Sequence, residues 1–341
     1  MPGGVFHPES VELKQMASHR SSLVKPPALR AGDTIGIIAP ASIVKPELLQ
    51  EGCDALRKLG YHPFYFDSIL EHDLYLAGSV ERRARELEEV FRRDDVRAIV
   101  CARGGYGSNY LLRAVNLQVI MDHPKIFVGY SDITTLLTWF ANRAGLVTFH
   151  GPMVAKDFAS GDGVDLPSWN AALNGTTAWE LASADLNIKP LVEGSAEGVL
   201  YGGCLSMLAA SLGTPYEAQI EDAILFIEDV ATKPYQIDRM LMQLKLAGKF
   251  DSVRGLVFGE MLDCVQNSDQ GYALEEIILR IVGDLGVPIA FGLPSGHVSR
   301  RNLTLPIGVN AALEVSSGGV TLRILEPATS QTVSRRAARE S

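Results

Sequence analysis

Cysteines and long apolar runs are both scarce in this chain. Its 341 residues include only four cysteines, which form neither a CxxC pair nor a Cys/His cluster, so a zinc site is not expected. The apolar surroundings of Cys101 and Cys204 predict buried free thiols and a reducing compartment. No apolar run reaches the roughly 18–20 residues that a membrane span needs, and none marks a secretory signal. We therefore expect a cytoplasmic protein without a membrane partner.

Basic charge is also in deficit. Lysine and arginine number 31 against 40 aspartates and glutamates, which gives a net charge of −9. Because binding to nucleic acid needs a basic face, no nucleic-acid partner is expected. Hydrophobic residues make up 47% of the chain, which is enough for one or two buried cores, and the length favours two domains.

The order of apolar and polar segments divides the chain. Strand-like apolar runs alternate with helical patterns over residues 28–165, which predicts a parallel, Rossmann-like α/β domain. Residues 196–327 mix strands and helices without strict alternation, which predicts a mixed α/β domain. Residues 166–195 are rich in turn-forming side chains and favour a partly helical linker. A flexible N-terminal arm over 1–27 and a frayed tail over 328–341 complete the prediction.

One serine lies where a buried strand changes into a helix. The strand-like KIFVGY ends at Tyr130, and a helical pattern follows Ser131. A tight turn of this kind exposes a nucleophilic hydroxyl at the carboxyl edge of a sheet. The N–H of Asp132 would then face a developing oxyanion. The alternative is that Ser131 only caps the helix, which is the commonest role of a serine there.

A second strand-turn-helix segment carries the glycines of ARGGYG. Paired glycines let backbone N–H groups approach an anion, so Gly104 or Gly105 is a candidate second oxyanion donor. A dinucleotide-binding fingerprint is not favoured, because Tyr110 stands where its third glycine is required. A simple tight turn explains the glycines equally well. Arg103 is a candidate ligand for a carboxylate or a partner in a surface ion pair.

A serine nucleophile needs a base and an acid. Among seven histidines, His150 follows a strand-like segment and His297 lies on a glycine-containing loop, but position alone does not choose between them. Glu228 follows the apolar run ILFI, and a carboxylate at the end of a buried strand needs a partner. Asp229 is the second candidate acid, although a cap or turn role suits it better.

Seven segments, spread from residue 32 to about residue 309, together resemble the LD-carboxypeptidases, the muramoyltetrapeptide carboxypeptidases. The resemblance implies a parallel N-terminal domain, a mixed and barrel-like C-terminal domain, and an active site between them. Residues 155–195 have no counterpart in it. The segments are GDTIGIIAPAS, ARGGYGSNYLL, KIFVGYSDIT, GPM, LYGGCLSML, IEDVATKPYQIDRMLMQLKLAG and GHVSRRNLTLPIG.

The resemblance also implies site residues. It places a Ser-His-Glu triad on Ser131, His297 and Glu228, and the oxyanion donors on the backbone of Gly104 and Asp132. The one departure is Cys204, which stands where an asparagine is expected.

The implied reaction removes a terminal D-alanine from a murein tetrapeptide, after an L-centre of diaminopimelate, in cell-wall recycling. It needs no metal or cofactor, and the family suggests a homodimer. One alternative is the self-immunity branch of the family, which cleaves peptide–nucleotide antibiotics and for which Trp169 or Trp179 would stack on a base. Another is a non-catalytic α/β protein that binds small anionic ligands through its glycine turn.

Overall fold

The computed structural model describes residues 23–266 and 271–331. The predicted arm and tail therefore lie mostly outside the described residues. Their described parts pair with each other, since the N–H of Ser330 donates to the carbonyl of Pro26.

Fourteen strands and eight α-helices make up the described part of the chain. The strands are Thr34–Ile38 (β1), His62–Phe64 (β2), Val96–Cys101 (β3), Ile126–Gly129 (β4), Thr148–His150 (β5), Trp179–Ala182 (β6), Lys189–Val192 (β7), Gly194–Cys204 (β8), Ala223–Glu228 (β9), Gly255–Gly259 (β10), Ile289–Leu293 (β11), Leu305–Ile307 (β12), Val309–Ser316 (β13) and Gly319–Ile324 (β14). The helices are Pro46–Lys58 (α1), Val80–Arg92 (α2), Leu117–Asp122 (α3), Thr134–Trp139 (α4), Leu166–Leu173 (α5), Leu205–Ser211 (α6), Pro234–Leu246 (α7) and Leu274–Val282 (α8).

The first sheet has the order β12-β5-β4-β3-β1-β2. The five strands β1 to β5 are parallel, which confirms the predicted parallel α/β arrangement, and β12 joins antiparallel at one edge. Every residue of β4 is buried, as expected of a strand covered on both faces. Helix α2 begins at its N-cap Ser79, whose hydroxyl accepts from the N–H of Arg82.

The second sheet has the order β6-β14-β13-β8-β9-β10-β11-β7. Strands β8 to β11 are parallel, whereas the flanking pairs are antiparallel, so the sheet is mixed as predicted. Cα atoms of β7 come within 8 Å of β13 and β14, strands near the opposite end of the order. The sheet therefore curls toward closure, in keeping with the expected barrel-like character.

Residues 166–195, expected as a partly helical linker, contribute more regular structure than that. They supply α5, β6 and β7, and the last two are the edge strands of the second sheet. Strands of four residues leave too short a pattern to be recognised beside the glycines and aspartates that surround them.

The chain crosses between the two sheets after β11. It leaves the second sheet at Leu293, runs through a loop that contains His297, and joins the first sheet as β12. This crossing brings the loop to the boundary of the two sheets. Among the described helices, none is both long and apolar enough to cross a membrane.

Candidate active site

Ser131 occupies a strained turn at the carboxyl end of β4. It begins a short 3₁₀ helix, Ser131–Ile133, that leads into α4. Its φ angle is +64°, a left-handed conformation that side chains other than glycine rarely adopt. Such strain costs on the order of 1–3 kcal/mol and persists where the surrounding structure enforces it. The turn therefore has the conformation of a nucleophile elbow rather than that of an ordinary helix cap.

The glycine turn after β3 lies directly against Ser131. A Cβ added at Gly104 would lie 2.9 Å from Cβ and 3.1 Å from Oγ of Ser131, so only glycine fits there. Ser108 joins the two turns: its N–H donates to the carboxylate of Asp132 at 2.8 Å, and its hydroxyl donates to the Asp132 carbonyl at 2.7 Å. The glycine turn after β3 is thus tied to the turn that contains Ser131 and Asp132.

The buried side chain of Arg83, on α2, fixes the glycine turn through hydrogen bonds to backbone carbonyls. Its guanidinium donates to the carbonyl oxygens of Pro40 at 2.6 Å, Gly107 at 2.8 Å and Gly78 at 3.2 Å. Burial lowers the pKa of Arg83. Sequence reasoning missed this residue, because a helical arginine looks like part of the exposed face of α2.

Glu228 and His297 form a buried pair across the boundary of the sheets. Glu228 ends β9 and is fully buried, and its Oε2 accepts from His297 Nδ1 at 2.7 Å and from the His297 N–H at 3.1 Å. Burial raises the pKa of Glu228, but interactions with His150 and His297 outweigh burial and lower the pKa to about 2. The carboxylate is therefore ionised and fixes His297 with Nδ1 as the donor.

The loop that carries His297 is shaped by Gly296 and Asn302. Gly296 has a φ of +92°, and a Cβ there would lie 2.6 Å from Cδ of Glu228. Asn302 binds both backbone groups of Gly296: its Oδ1 accepts from the N–H at 2.9 Å, and its Nδ2 donates to the carbonyl at 3.1 Å. Both residues belong to the segment GHVSRRNLTLPIG, but their positioning role cannot be deduced from spacing alone.

Ser131, Gly104 and His297 line one cavity of about 460 Å³. No hydrogen bond joins the Ser131 hydroxyl to His297 in the described structure, and such contacts are often longer before substrate binds.

The buried ring of Tyr130 lies beside His297, with centroids 5.1 Å apart and planes at 86°. Its hydroxyl is 3.4 Å from Asp157, whose pKa burial raises to about 6.

Three cations, Lys45, Arg103 and Lys156, also line this cavity. None of them forms a salt bridge within the described part of the chain, although the protein has a net charge of −9. Arg103 is half-buried and donates to the carbonyl of Ile43 at 3.1 Å. Since no carboxylate of the described residues lines the cavity, its charge suits an anionic ligand.

The other candidates have structural roles. Asp229, the second candidate acid, accepts from the N–H and hydroxyl of Ser206 at 2.9 and 2.7 Å, which is a turn and cap role. Cys204 pairs with Glu228 across β8 and β9, and burial raises its thiol pKa well above the ordinary value. A base-stacking role for Trp169 does not fit, because the ring is only 1% exposed and packs against Phe158.

A strained serine and a histidine–carboxylate pair that meet at one cavity between two α/β units define the class of serine-type hydrolases. The models of the LD-carboxypeptidase N-terminal and C-terminal domains match residues 35–151 and 197–313. The chain therefore belongs to the LD-carboxypeptidase family and is a serine-type carboxypeptidase. The family, the enzyme class and the two-part α/β fold expected from the sequence are confirmed, and a non-catalytic binding protein is excluded.

Individual relatives agree with this assignment. The chain is 39% identical over 294 residues to a probable murein peptide carboxypeptidase of Bacillus subtilis, which covers 86% of this chain and 92% of that protein. The crystal structure of a muramoyltetrapeptide carboxypeptidase from Oxalobacter formigenes has a TM-score of 0.77 at 32% identity, covering 86% and 99% of the two chains. The Escherichia coli microcin C7 self-immunity protein MccF, solved with glutamyl sulfamoyl guanosine, has a TM-score of 0.83 at 25% identity, covering 90% and 100%.

Proposed function

We propose that this protein removes the terminal D-alanine of murein tetrapeptides by an L,D-specific cut, in the recycling of cell-wall peptides. The proposed triad is Ser131, His297 and Glu228. The observation that carries it is the left-handed Ser131 in one cavity with His297, whose Nδ1 is 2.7 Å from a fully buried carboxylate.

The proposed reaction is acyl transfer. Because Nδ1 of His297 is engaged by Glu228, Nε2 is the nitrogen left to take the proton from Ser131 as its Oγ attacks the terminal peptide carbonyl. The N–H groups of Gly104 and Asp132 stabilise the oxyanion, an effect worth about 3 kcal/mol for one donor. His297 then returns the proton to the leaving amine, and water hydrolyses the acyl enzyme.

The cations of the cavity support a substrate that ends in a carboxylate. A free C-terminus places one negative charge next to the scissile bond, and Arg103 and the two lysines line the same cavity as Ser131, with no carboxylate among its described lining residues. Arginine matches a carboxylate with two parallel N–H donors, so Arg103 is the proposed ligand of the terminal carboxylate.

The assay follows, by mass spectrometry, the release of D-alanine from murein tetrapeptide and of D-alaninamide from the same peptide with a terminal carboxamide. We expect release by the wild type and none by Ser131→Ala. Loss of one charge-assisted contact costs about 1.5–3 kcal/mol, so the amide should react about 10- to 100-fold more slowly in kcat/KM. Arg103→Gln should slow the acid to the same extent and leave the amide unchanged. If Arg103→Gln affects acid and amide equally, the carboxylate assignment is wrong.

Cleavage of a peptide–nucleotide conjugate is the second candidate function, favoured by the structural similarity to MccF over 90% of this chain. A nucleobase needs an exposed aromatic face, yet Tyr130, the aromatic residue of the cavity lining, is fully buried. Trp179 lies half-buried on edge strand β6 and is not among the residues that line this cavity. An aminoacyl sulfamoyl nucleoside in the same assay separates the two: faster turnover of this conjugate than of the tetrapeptide would reverse the preference.

A further inference from the structure

His150 is a second histidine that lies beside the carboxylate of Glu228, in addition to His297. It ends β5, pairs with Gly129 of β4, and is completely buried. It does not line the cavity that contains Ser131. The side chain therefore has no access to substrate, and its contacts are all internal.

Both ring nitrogens of His150 face polar groups. Nδ1 is 3.0 Å from the hydroxyl of Ser295, and that hydroxyl lies 3.1 Å from the carbonyl of Leu303. Nε2 is 3.7 Å from Oε1 of Glu228. These two atoms, Nε2 and Oε1, are both buried, and neither has a hydrogen-bond partner in the described structure.

The position of the protons on His150 follows from what each partner can donate. Ser295 has one hydroxyl hydrogen, and the Leu303 carbonyl only accepts. If Ser295 donates to Leu303, Nδ1 of His150 must be the donor to Ser295. A neutral ring would then turn its Nε2 lone pair toward a carboxylate, which is an unfavourable contact. If Ser295 instead donates to Nδ1, the single ring proton lies on Nε2. The second arrangement is therefore favoured, and it places an N–H of His150 in front of Glu228.

The surroundings leave this ring little freedom. Phe226 packs edge-on against His150 with centroids 5.1 Å apart, and the ring of Tyr130 lies near both imidazoles, at 6.0 Å from His150 and 5.1 Å from His297. The two oxygens of Glu228 are thus divided, Oε2 toward His297 and Oε1 toward His150.

We propose that His150 is a positioning residue of the acid: Ser295 holds the His150 ring at Nδ1, and the Nε2–H of His150 keeps the Glu228 carboxylate in the rotation that presents Oε2 to His297. This role rests on the proposed triad. A carboxylate released on one side would turn in its pocket and carry His297 away from Ser131, and a displacement of about 1 Å at a reacting group costs roughly 100-fold in rate.

The test compares three variants of the whole protein. His150→Phe removes both polar contacts, His150→Gln restores an N–H donor toward Glu228, and Phe226→Leu disturbs the packing of the same ring without touching a polar atom. We expect His150→Phe to lower kcat for D-alanine release about 100-fold with KM unchanged within about twofold, because His150 lies outside the cavity. His150→Gln should recover most of the loss, and Phe226→Leu should lower the melting temperature without this change in kcat.

A substrate-free measurement separates this proposal from the proposed function. The proton of His297 Nδ1, held by Glu228, is expected as a low-field ¹H NMR resonance that disappears in Glu228→Gln. Its shift or loss in His150→Phe and its return in His150→Gln would support positioning even if the tetrapeptide is not cleaved. An unchanged resonance and unchanged kcat in folded His150→Phe would overturn the proposal, and so would a His150→Gln variant as impaired as His150→Phe.

Discussion

The two halves of the site are built in different ways. On the serine side, a few consecutive residues create the geometry: β4 ends, Ser131 takes a φ of +64°, and a helix begins. On the acid–base side, Glu228 and His297 lie 69 residues apart and meet only because the chain crosses from one sheet to the other. On the serine side the backbone of Ser131 is strained, whereas on the acid–base side the carboxylate of Glu228 is charged and buried.

This contrast shows which part of a site local sequence can reveal. Backbone strain at a turn is set by neighbours along the chain, so it leaves a local pattern. Buried charge is stabilised by partners remote in sequence, here His150, His297 and the N–H of His297 around one carboxylate. Perturbing each side separately should therefore give different combinations of lost activity and altered stability.

The largest expected effect is the loss of turnover in Ser131→Ala and His297→Ala. Removal of a nucleophile or base from a catalytic triad costs about 10⁶-fold in kcat, and both variants should reach the same floor because the residues act as a unit. Labelling by a fluorophosphonate distinguishes the two: Ser131→Ala should not label at all, and His297→Ala should label slowly. Turnover near the wild-type value in either folded variant would refute the assigned role.

Glu228→Gln should be the next most damaging change. Loss of the acid from a triad costs about 10⁴-fold in kcat, since the histidine is no longer held in the required tautomer. The substitution should also change how the free energy of unfolding of the protein depends on pH at low pH. The pKa of Glu228 is about 2 in the folded protein against 4.5 ordinarily, so the carboxylate contributes stability that is fully present above about pH 4.5 and is lost as the pH falls toward 2.

Urea unfolding at a series of pH values checks this second part. The wild type should exceed Glu228→Gln in stability by a constant amount above about pH 4.5, and the gap should narrow at lower pH. The control variant is Glu260→Gln, because the Glu260 carboxylate accepts from the N–H of Ser299 at an exposed contact. A gap of the same size in Glu228→Gln at pH 3 and pH 7 would mean that the folded protein does not favour the ionised form.

Sequence reasoning found the serine side more readily than the acid–base side. Ser131 follows from the change of pattern at the end of KIFVGY, and Glu228 from the apolar run before it. His297 could not be separated from His150 by position, and only the resemblance to a family selected it. The position of His297 depends on Gly296 and on contacts with residues distant in sequence, and hydrophobic periodicity does not reveal such contacts.

The same reasoning explains what sequence analysis missed elsewhere. The sequence marks His150 only as a histidine that follows a strand-like segment, because its contact with Glu228 joins β5 of the first sheet to β9 of the second. Edge strands β6 and β7 were assigned to a linker, since four residues carry too little alternation. By contrast, the buried strands of the parallel sheet were predictable, because continuous apolar runs are typical of strands covered on both faces.

The smallest expected effect concerns stability on the serine side. Glycine adopts a φ of +64° without the penalty of a Cβ, so Ser131→Gly should be more stable than Ser131→Ala by about 1 kcal/mol, although both are inactive. Ser79, with a φ of −65°, is the control: Ser79→Gly should be less stable than the wild type by a few tenths of a kcal/mol, because serine is the better N-cap and this backbone angle gives glycine no advantage. Thermal unfolding of the wild type and of these three variants measures both differences. If glycine is no better than alanine at residue 131, the strain does not lie in that backbone angle, and the contrast between a strained serine side and a charged acid–base side fails.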